Sequence, residues 1–537
     1  MTGTFLVARL LLRCNRFRLL AWLVPLVLLV AITVPGYAPM YPSLAKREPL
    51  VRQLRDTLAT KVLYGKLPLP GTLGQLAQWE TGTYMVLLVS VMAVLLTVAL
   101  TRRDEELGFT EIVEAAGVGR WAQPCAAALV LVGSFVVLGA SDAAVLAFES
   151  IGHPGDLTVS GAVCFGAVVT LVGLGTTAQT MLLAQVLWDA HSAARAAWTL
   201  IAICFGARVL ADFTPMTWLR WSTWFGLRDL VLPYTDDRVG PLAVATGGVV
   251  VLGALAAIMY AHREFGAGLV RPRSSGTRRL RVRSAAGLAW RLDRGPLLLW
   301  FSPTIAVAAL FGGMSHGLIG LLRDDASAAG VLRTMTASID PVRQYFSFSY
   351  IFVALLPMIY GAATVLRTRA DERAGLLDAE LATGVARWRP LVARTAEAGV
   401  GALGLLVVGS AVQAAMALAA LRDAPTAPTG GATRWAFWAP LTQAPGVLAA
   451  VGLACVAVGA APKLTGAVWA AVAWSGFAVL LGALARVPLS ARRIALLGHL
   501  PAHPPALTAS ALLLTGLCVV AVSAGWVAMR NRDVIVG

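Results

Sequence analysis

The residues with the most chemistry to offer stand in a stretch that occurs twice. T-R-R-D-E-E-L-G-F-T-E-I-V-E-A-A-G-V-G-R-W runs from Thr101 to Trp121, and T-R-A-D-E-R-A-G-L-L-D-A-E-L-A-T-G-V-A-R-W from Thr368 to Trp388. The two align over 21 positions without a gap, and ten are identical: Thr, Arg, Asp, Glu, Gly, Ala, Gly, Val, Arg and Trp. The candidate docking residues are Asp104, Glu105, Glu106, Gly108, Glu111 and Arg120 in the first copy, and Asp371, Glu372, Gly375, Asp378 and Arg387 in the second. On a continuous helix Asp104, Gly108 and Glu111 share one face at i, i+4 and i+7, as do Asp371, Gly375 and Asp378. Arg102 then reaches Glu105 or Glu106 at i+3 and i+4. An acidic knob with a glycine that permits close approach suits ion-paired docking on another protein. The other reading is a solvated helix end, which has no need of the same identities in both copies.

Elsewhere the chemistry is sparse. Arg208 and Asp212 stand one turn apart in an apolar run and can neutralise each other as an intramembrane ion pair. Such a pair is either a gate or substrate contact or a structural pair, and the structural reading is preferred because paired charges in membranes commonly serve packing. His499 and His503 have i, i+4 spacing, but Pro501, Pro504 and Pro505 break the segment and no Cys or carboxylate stands near, so no metal centre is expected. The six cysteines are widely spaced with no C-x-x-C pair, and read as small packing residues. No nucleophile, metal-ligand or histidine cluster suggests catalysis. There is no G-x-x-x-x-G-K-[ST], and the nearest glycine–lysine pair, Gly65-Lys66, is followed by Leu67. The chain therefore has no cradle for the phosphates of ATP, no cofactor is expected on it, and energy must come from a partner or an ion gradient.

The elements that position these residues are membrane helices. Of 537 residues, 58% are hydrophobic and only 13% charged, against about 25% charged in a soluble domain; the mean hydropathy is +0.74. A hydrocarbon core about 30 Å thick needs about 20 apolar residues per helix. Apolar runs closed by charge or Pro/Gly predict twelve spans: 20–39, 81–101, 122–147, 158–187, 197–213, 239–262, 297–320, 345–366, 390–420, 435–461, 464–485 and 507–528. The expected fold is an all-α integral membrane protein, two duplicated six-helix halves related by an axis along the membrane normal.

The net charge of +16 is explained by retention of Lys and Arg on the cytoplasmic side, not by nucleic acid. With both termini cytoplasmic, 25 of the 44 fall inside, 17 outside and two within spans. The predicted organisation is a first half at 1–262, a basic linker and connecting helix at 263–296, and a second half at 297–537. Leu6–Trp22 and Leu288–Trp300 combine Arg and Leu at near-helical spacing, which predicts helices lying in the cytoplasmic interface, or else plain basic flanks. The apolar run at the N-terminus is too long for a cleavable signal, and Pro39 follows the one plausible site at Ala38. The linker Arg271–Arg283 is polar and basic, suited to anionic lipid. A short external helix is expected within Leu50–Leu63. Asp142 is expected near an outer span end and Arg394 beside Glu397 near an inner one.

D-E-E-x-G-x-x-E followed by A-x-G-V-x-R resembles the cytoplasmic loop of ABC-2 type permeases of the actinobacterial polyketide-antibiotic exporter group, the tetronasin-resistance-like permeases. Trp218–Arg238 and Leu496–Pro505 fit the same group, while Arg373 and Asp378 depart from the pattern in the second copy. The resemblance implies a twelve-span permease in a bacterial cell membrane, exporting small lipophilic compounds such as antibiotics. It also implies a separate ATP-binding cassette subunit, a homodimer carrying ATP and Mg, with the short helix after each second span as a coupling helix. The alternative is a proton-coupled secondary transporter, also twelve spans in two halves. Its repeated loop has a D-x-x-G-R-R core, whereas Gly108 is followed by Phe109, Thr110 and Glu111.

Overall fold

The computed structural model describes residues 3–39, 41–56, 61, 64–263, 268, 284–324, 340–422, 429–480, 487–499 and 508–532. Among them twelve helices are long and apolar enough to cross a membrane: Thr4–Tyr37, Leu73–Glu106, Ala122–Gly152, Val159–Val186, Ala190–Asp212, Gly240–His262, Gly287–Gly320, Pro341–Arg373, Arg389–Leu421, Gly431–Ala460, Pro462–Leu480 and Ala509–Asn531. They are called the first to twelfth spans below. No strand occurs among the described residues beyond one isolated bridge, Pro154–Leu157. The chain is an all-helical multi-pass membrane protein, in two compact units, Met1–Arg278 and Arg279–Gly537.

Small residues bring the spans together, as they must where lipid is as apolar as the side chains. In the first unit Gly139 and Gly166 face each other across the third and fourth spans, and a Cβ on either would strike the other's carbonyl oxygen. In the second unit the tenth and twelfth spans meet likewise: a Cβ on Gly459 would strike the Gly525 carbonyl oxygen, and one on Gly525 would strike Cys455. The sixth and twelfth spans lie at the edges of their units, mostly unburied. Helix starts are capped from the sequence. Thr72 and Gln75 form a reciprocal capping box at the second span, and Asp189, Asp340 and Thr508 cap the fifth, eighth and twelfth.

Several expectations are corrected. The segment Leu6–Trp22 is no separate interfacial helix: one helix runs from Thr4 to Ala31. Likewise Leu288–Trp300 is continuous with the seventh span in a helix from Ala285 to Gly313. Even Gly295-Pro296, between basic flank and apolar run in the second segment, and Pro25 in the first helix do not end the helix. The helix expected within Leu50–Leu63 is present over residues 50–56 as part of a helix that begins at Leu44, and residues 57–60, 62 and 63 lie outside the described residues. This helix is anchored by Arg47, fully buried, which donates to both oxygens of Asp156 at 2.7 and 2.9 Å. The linker Arg271–Arg283 and His503 lie outside the described residues.

Candidate functional site

The repeated stretch forms an elbow in each unit rather than one long helix. After Val98 the second span loosens into a π-helical turn, Ala99–Arg103, followed by a single turn, Asp104–Glu106. The chain then breaks at Gly108, φ 74°, and restarts as the helix Phe109–Ala115. In the second unit the eighth span runs to Arg373, breaks at Gly375, φ 70°, and restarts as Leu376–Leu381. Gly117 and Gly384, the next repeated glycine, also have positive φ, 81° and 82°. Both glycine identities are thus backbone requirements. The expectation that Asp104, Gly108 and Glu111 share a helical face is overturned, because a left-handed residue separates the carboxylates onto two helices. The same holds for Asp371, Gly375 and Asp378.

The acidic residues divide accordingly. Glu105 is not part of an exposed knob: its side chain is 9% exposed and clasped between Arg102 at 3.0 Å and Arg263 at 2.7 Å. Glu372, 1% exposed, is clasped between Arg369 at 2.7 Å and Arg532. Arg120 and Arg387 close the arrangement from the far end of the repeat, donating to the backbone carbonyls of Arg263 at 2.9 Å and Arg532 at 3.3 Å. Each clasp therefore ties the elbow to the residue immediately after the last span of its own unit, the span with least packing of its own. Arg102 also donates to the Trp188 carbonyl, and Glu106 accepts from the Ala190 N–H at 2.5 Å, joining the fifth span to the elbow. Asp371 is held by Arg394 at 2.5 Å, while Asp104 lies near Arg103 and Arg18.

What remains on the surface is the second helix of each elbow. Phe109, Glu111 and Ile112 are exposed, as is Leu376 at the position matching Phe109, with Asp378 half-buried beside it. Beneath the first elbow an apolar cavity of about 200 Å³, bounded by Met181, Ala184, Ala256 and Tyr260, ends on Arg102 and Glu105.

The sequence reading missed Arg263 and Arg532. Their signal was available: His262-Arg263-Glu264 and Asn531-Arg532-Asp533 both place an Arg–carboxylate pair directly after the sixth span of a half. The two stand 269 positions apart while the loops stand 267 apart, so a gapless search does not pair them.

The intramembrane pair is part of a larger network at the opposite end of the first unit. Arg208 lies 3.5 Å from Asp212 and 3.2 Å from Asp229; Arg220 reaches Asp212 at 2.9 Å, and Arg228 reaches Asp229 at 2.7 Å. Arg228 is buried and also donates to the carbonyls of Tyr64 at 2.6 Å and Trp79 at 3.0 Å. Burial by itself would raise the Asp229 carboxyl, but Arg228 and then Arg208 outweigh it and hold the group below its ordinary range. These contacts link the Trp218–Arg238 segment to the second and fifth spans. Arg394 pairs with Asp371 and Asp293, not with Glu397, whose oxygens have no hydrogen-bond partner among the described residues. Asp142 lies deeper than expected, ten residues inside the Gly152 end of the third span and fully buried.

Fold and elbows together define a polytopic helical membrane protein with one internally repeated site per six-span unit. Residues 282–530 match the family model described as the C-terminal domain of the multidrug efflux system permease Rv1217c. The chain is also 27% identical, over 99% of its length and 95% of the relative's, to the multidrug efflux system permease protein Rv1217c of Mycobacterium tuberculosis. The chain is thus similar along its whole length to an efflux permease.

Proposed function

We propose that the chain is the permease subunit of an ATP-driven ABC-2 type exporter of the antibiotic-exporting kind, extruding lipophilic or amphipathic compounds. Both termini and both elbows are cytoplasmic in this reading. ATP and Mg are held by a separate ATP-binding cassette subunit, a homodimer, one protomer on each elbow. The observation that carries the proposal is the duplicated elbow: an exposed helix with an apolar residue and a carboxylate, Phe109 with Glu111 and Leu376 with Asp378, mounted on a buried ion clasp. Clasp residues transmit force to the edge spans; surface residues meet the partner. The naming of the relative as a multidrug efflux permease and the apolar cavity under the first elbow support a lipophilic cargo.

The docking residues are therefore refined to Phe109, Glu111, Ile112, Leu376 and Asp378, with Glu105 and Glu372 as positioning residues. Glu111→Lys combined with Asp378→Lys is expected to lower ATP-dependent export in vesicles at least tenfold while leaving the permease folded, since exposed substitutions usually change stability by no more than about 0.5 kcal/mol. Charge pairs across a docked interface cost several kcal/mol when one partner is left unpaired. Unchanged export and unchanged co-purification of the ATPase would defeat the docking assignment. Transport that persists without the ATPase and collapses with an uncoupler would favour proton coupling. That reading would rest on Asp142, whose counterpart at the repeat spacing is Gly409.

A further inference from the structure

The end of the second unit opposite its elbow carries a concavity of about 280 Å³ that the export reading does not use. Its wall includes Arg343 from the first turn of the eighth span, Arg492 and Arg493 from the end of the short helix Leu489–Arg492, and Trp435, Phe348 and His499. None of its described lining residues is acidic, and none of the three arginines forms an ion pair among the described residues. The carboxylate of Asp340 caps the eighth span by accepting from the Arg343 backbone N–H at 3.2 Å. The Arg343 guanidinium stacks 5.2 Å over the Trp435 ring.

The Leu496–Gly498 loop that forms part of the wall belongs to the second stretch singled out in the sequence, and three contacts fix it. The Leu496 N–H donates to Ser475 Oγ at 2.9 Å, the Gly498 N–H donates to Gln443 Oε1 at 3.0 Å, and the Leu496 carbonyl packs directly on Gly446, where any Cβ would collide. Trp474 Nε1 donates to the Ala491 carbonyl at 3.2 Å, holding the turn that presents Arg492 and Arg493. The basic wall is therefore preformed.

Three like charges converging on one concavity, with no counter-charge among its described lining residues, focus a positive potential there. Guanidinium groups match carboxylate and phosphate oxygens bidentately, and Trp435 with Phe348 offers an aromatic face to an apolar body. The volume lies just under the range of about 300–1,000 Å³ typical of drug-sized pockets, so it suits a head group or a small aromatic acid and not a whole lipid. We propose that this concavity binds the anionic head, carboxylate or phosphate, of an amphipathic organic acid, with the apolar part against Trp435 and Phe348. Binding is independent of how transport is energised and is read on the chain without an ATPase.

The test uses the full chain in phosphatidylcholine nanodiscs, with 1-naphthyl phosphate as the probe and empty nanodiscs as the background. Saturable binding is expected, weakened about tenfold or more by Arg343→Gln/Arg492→Gln/Arg493→Gln, as for lost hydrogen bonds to charged groups. The corresponding triple lysine variant should keep most of it, and 1-naphthylmethylammonium should not compete. Arg492→Gln alone, at a half-exposed position, should weaken binding measurably even if the triple variant does not fold. A second arm replaces part of the phosphatidylcholine with phosphatidylglycerol: displacement of the probe identifies a lipid head group as the occupant, and undiminished binding identifies a free organic acid. No saturable binding, equal affinity in wild type and Arg492→Gln, or equal binding of the cationic probe would overturn the proposal.

Discussion

Replacing Glu105 by Gln removes the carboxylate held between Arg102 and Arg263, whose side chains are 1% and 4% exposed. The substitution keeps the shape and some hydrogen bonding but leaves two guanidinium groups facing each other in a site from which water is largely excluded. Breaking a buried ion pair by removing one partner costs about 3–5 kcal/mol, mainly because the remaining charge is uncompensated. Glu372→Gln should fall at the lower end of that range, because Arg369 and Arg532 are 13% and 15% exposed and water can reach them. Glu111→Gln, on the exposed face of the same elbow, should change stability by no more than about 0.5 kcal/mol. The assay is thermal and denaturant unfolding of the purified chain in one detergent, with a double-mutant cycle between Glu105→Gln and Arg263→Gln. Coupling between residues in contact is expected at about 0.5–3 kcal/mol. Stabilities of Glu105→Gln and Glu111→Gln equal within error, or a cycle with no coupling, would show that the clasp contributes nothing and that the repeat is kept for another reason.

Gly108→Ala and Gly375→Ala should each destabilise the chain by about 1–2 kcal/mol through backbone strain alone, because no atom lies within 4 Å of the added Cβ at either site; Asn, which tolerates the left-handed region, should cost less. The hydrogen bond from Arg47, opposed by partial burial, holds the Asp156 carboxyl below its ordinary range. That stability is present above the unfolded value of about 3.9 and is lost as pH falls through the lower folded value. Acid unfolding curves should therefore lose this component in Arg47→Gln, and an unaltered acid limb would refute it. For orientation, Glu111→Cys should resist an impermeant thiol reagent applied to intact cells while Lys61→Cys reacts; the reverse pattern would invert the topology.

The twelve spans, their order and their approximate limits were legible because a bilayer imposes a length and an apolar composition on every crossing segment. The duplication was legible too, since ten shared identities survive in segments that need particular residues. Tertiary structure alone decided what those identities do. Sequence periodicity assumes a continuous helix, and it put Asp104 and Glu111 on one face; the left-handed backbone at Gly108 places them on two helices, Asp104 half-buried and Glu111 exposed. Glu105 and Glu372 read as exposed acids because their partners Arg263 and Arg532 stand about 160 residues away, beyond any local pairing rule. Arg394 chose Asp371 and Asp293 over the nearby Glu397 for the same reason. Local composition determines whether a segment enters the membrane, whereas the partner of a buried charge is set by which helix ends the packing of whole spans brings together.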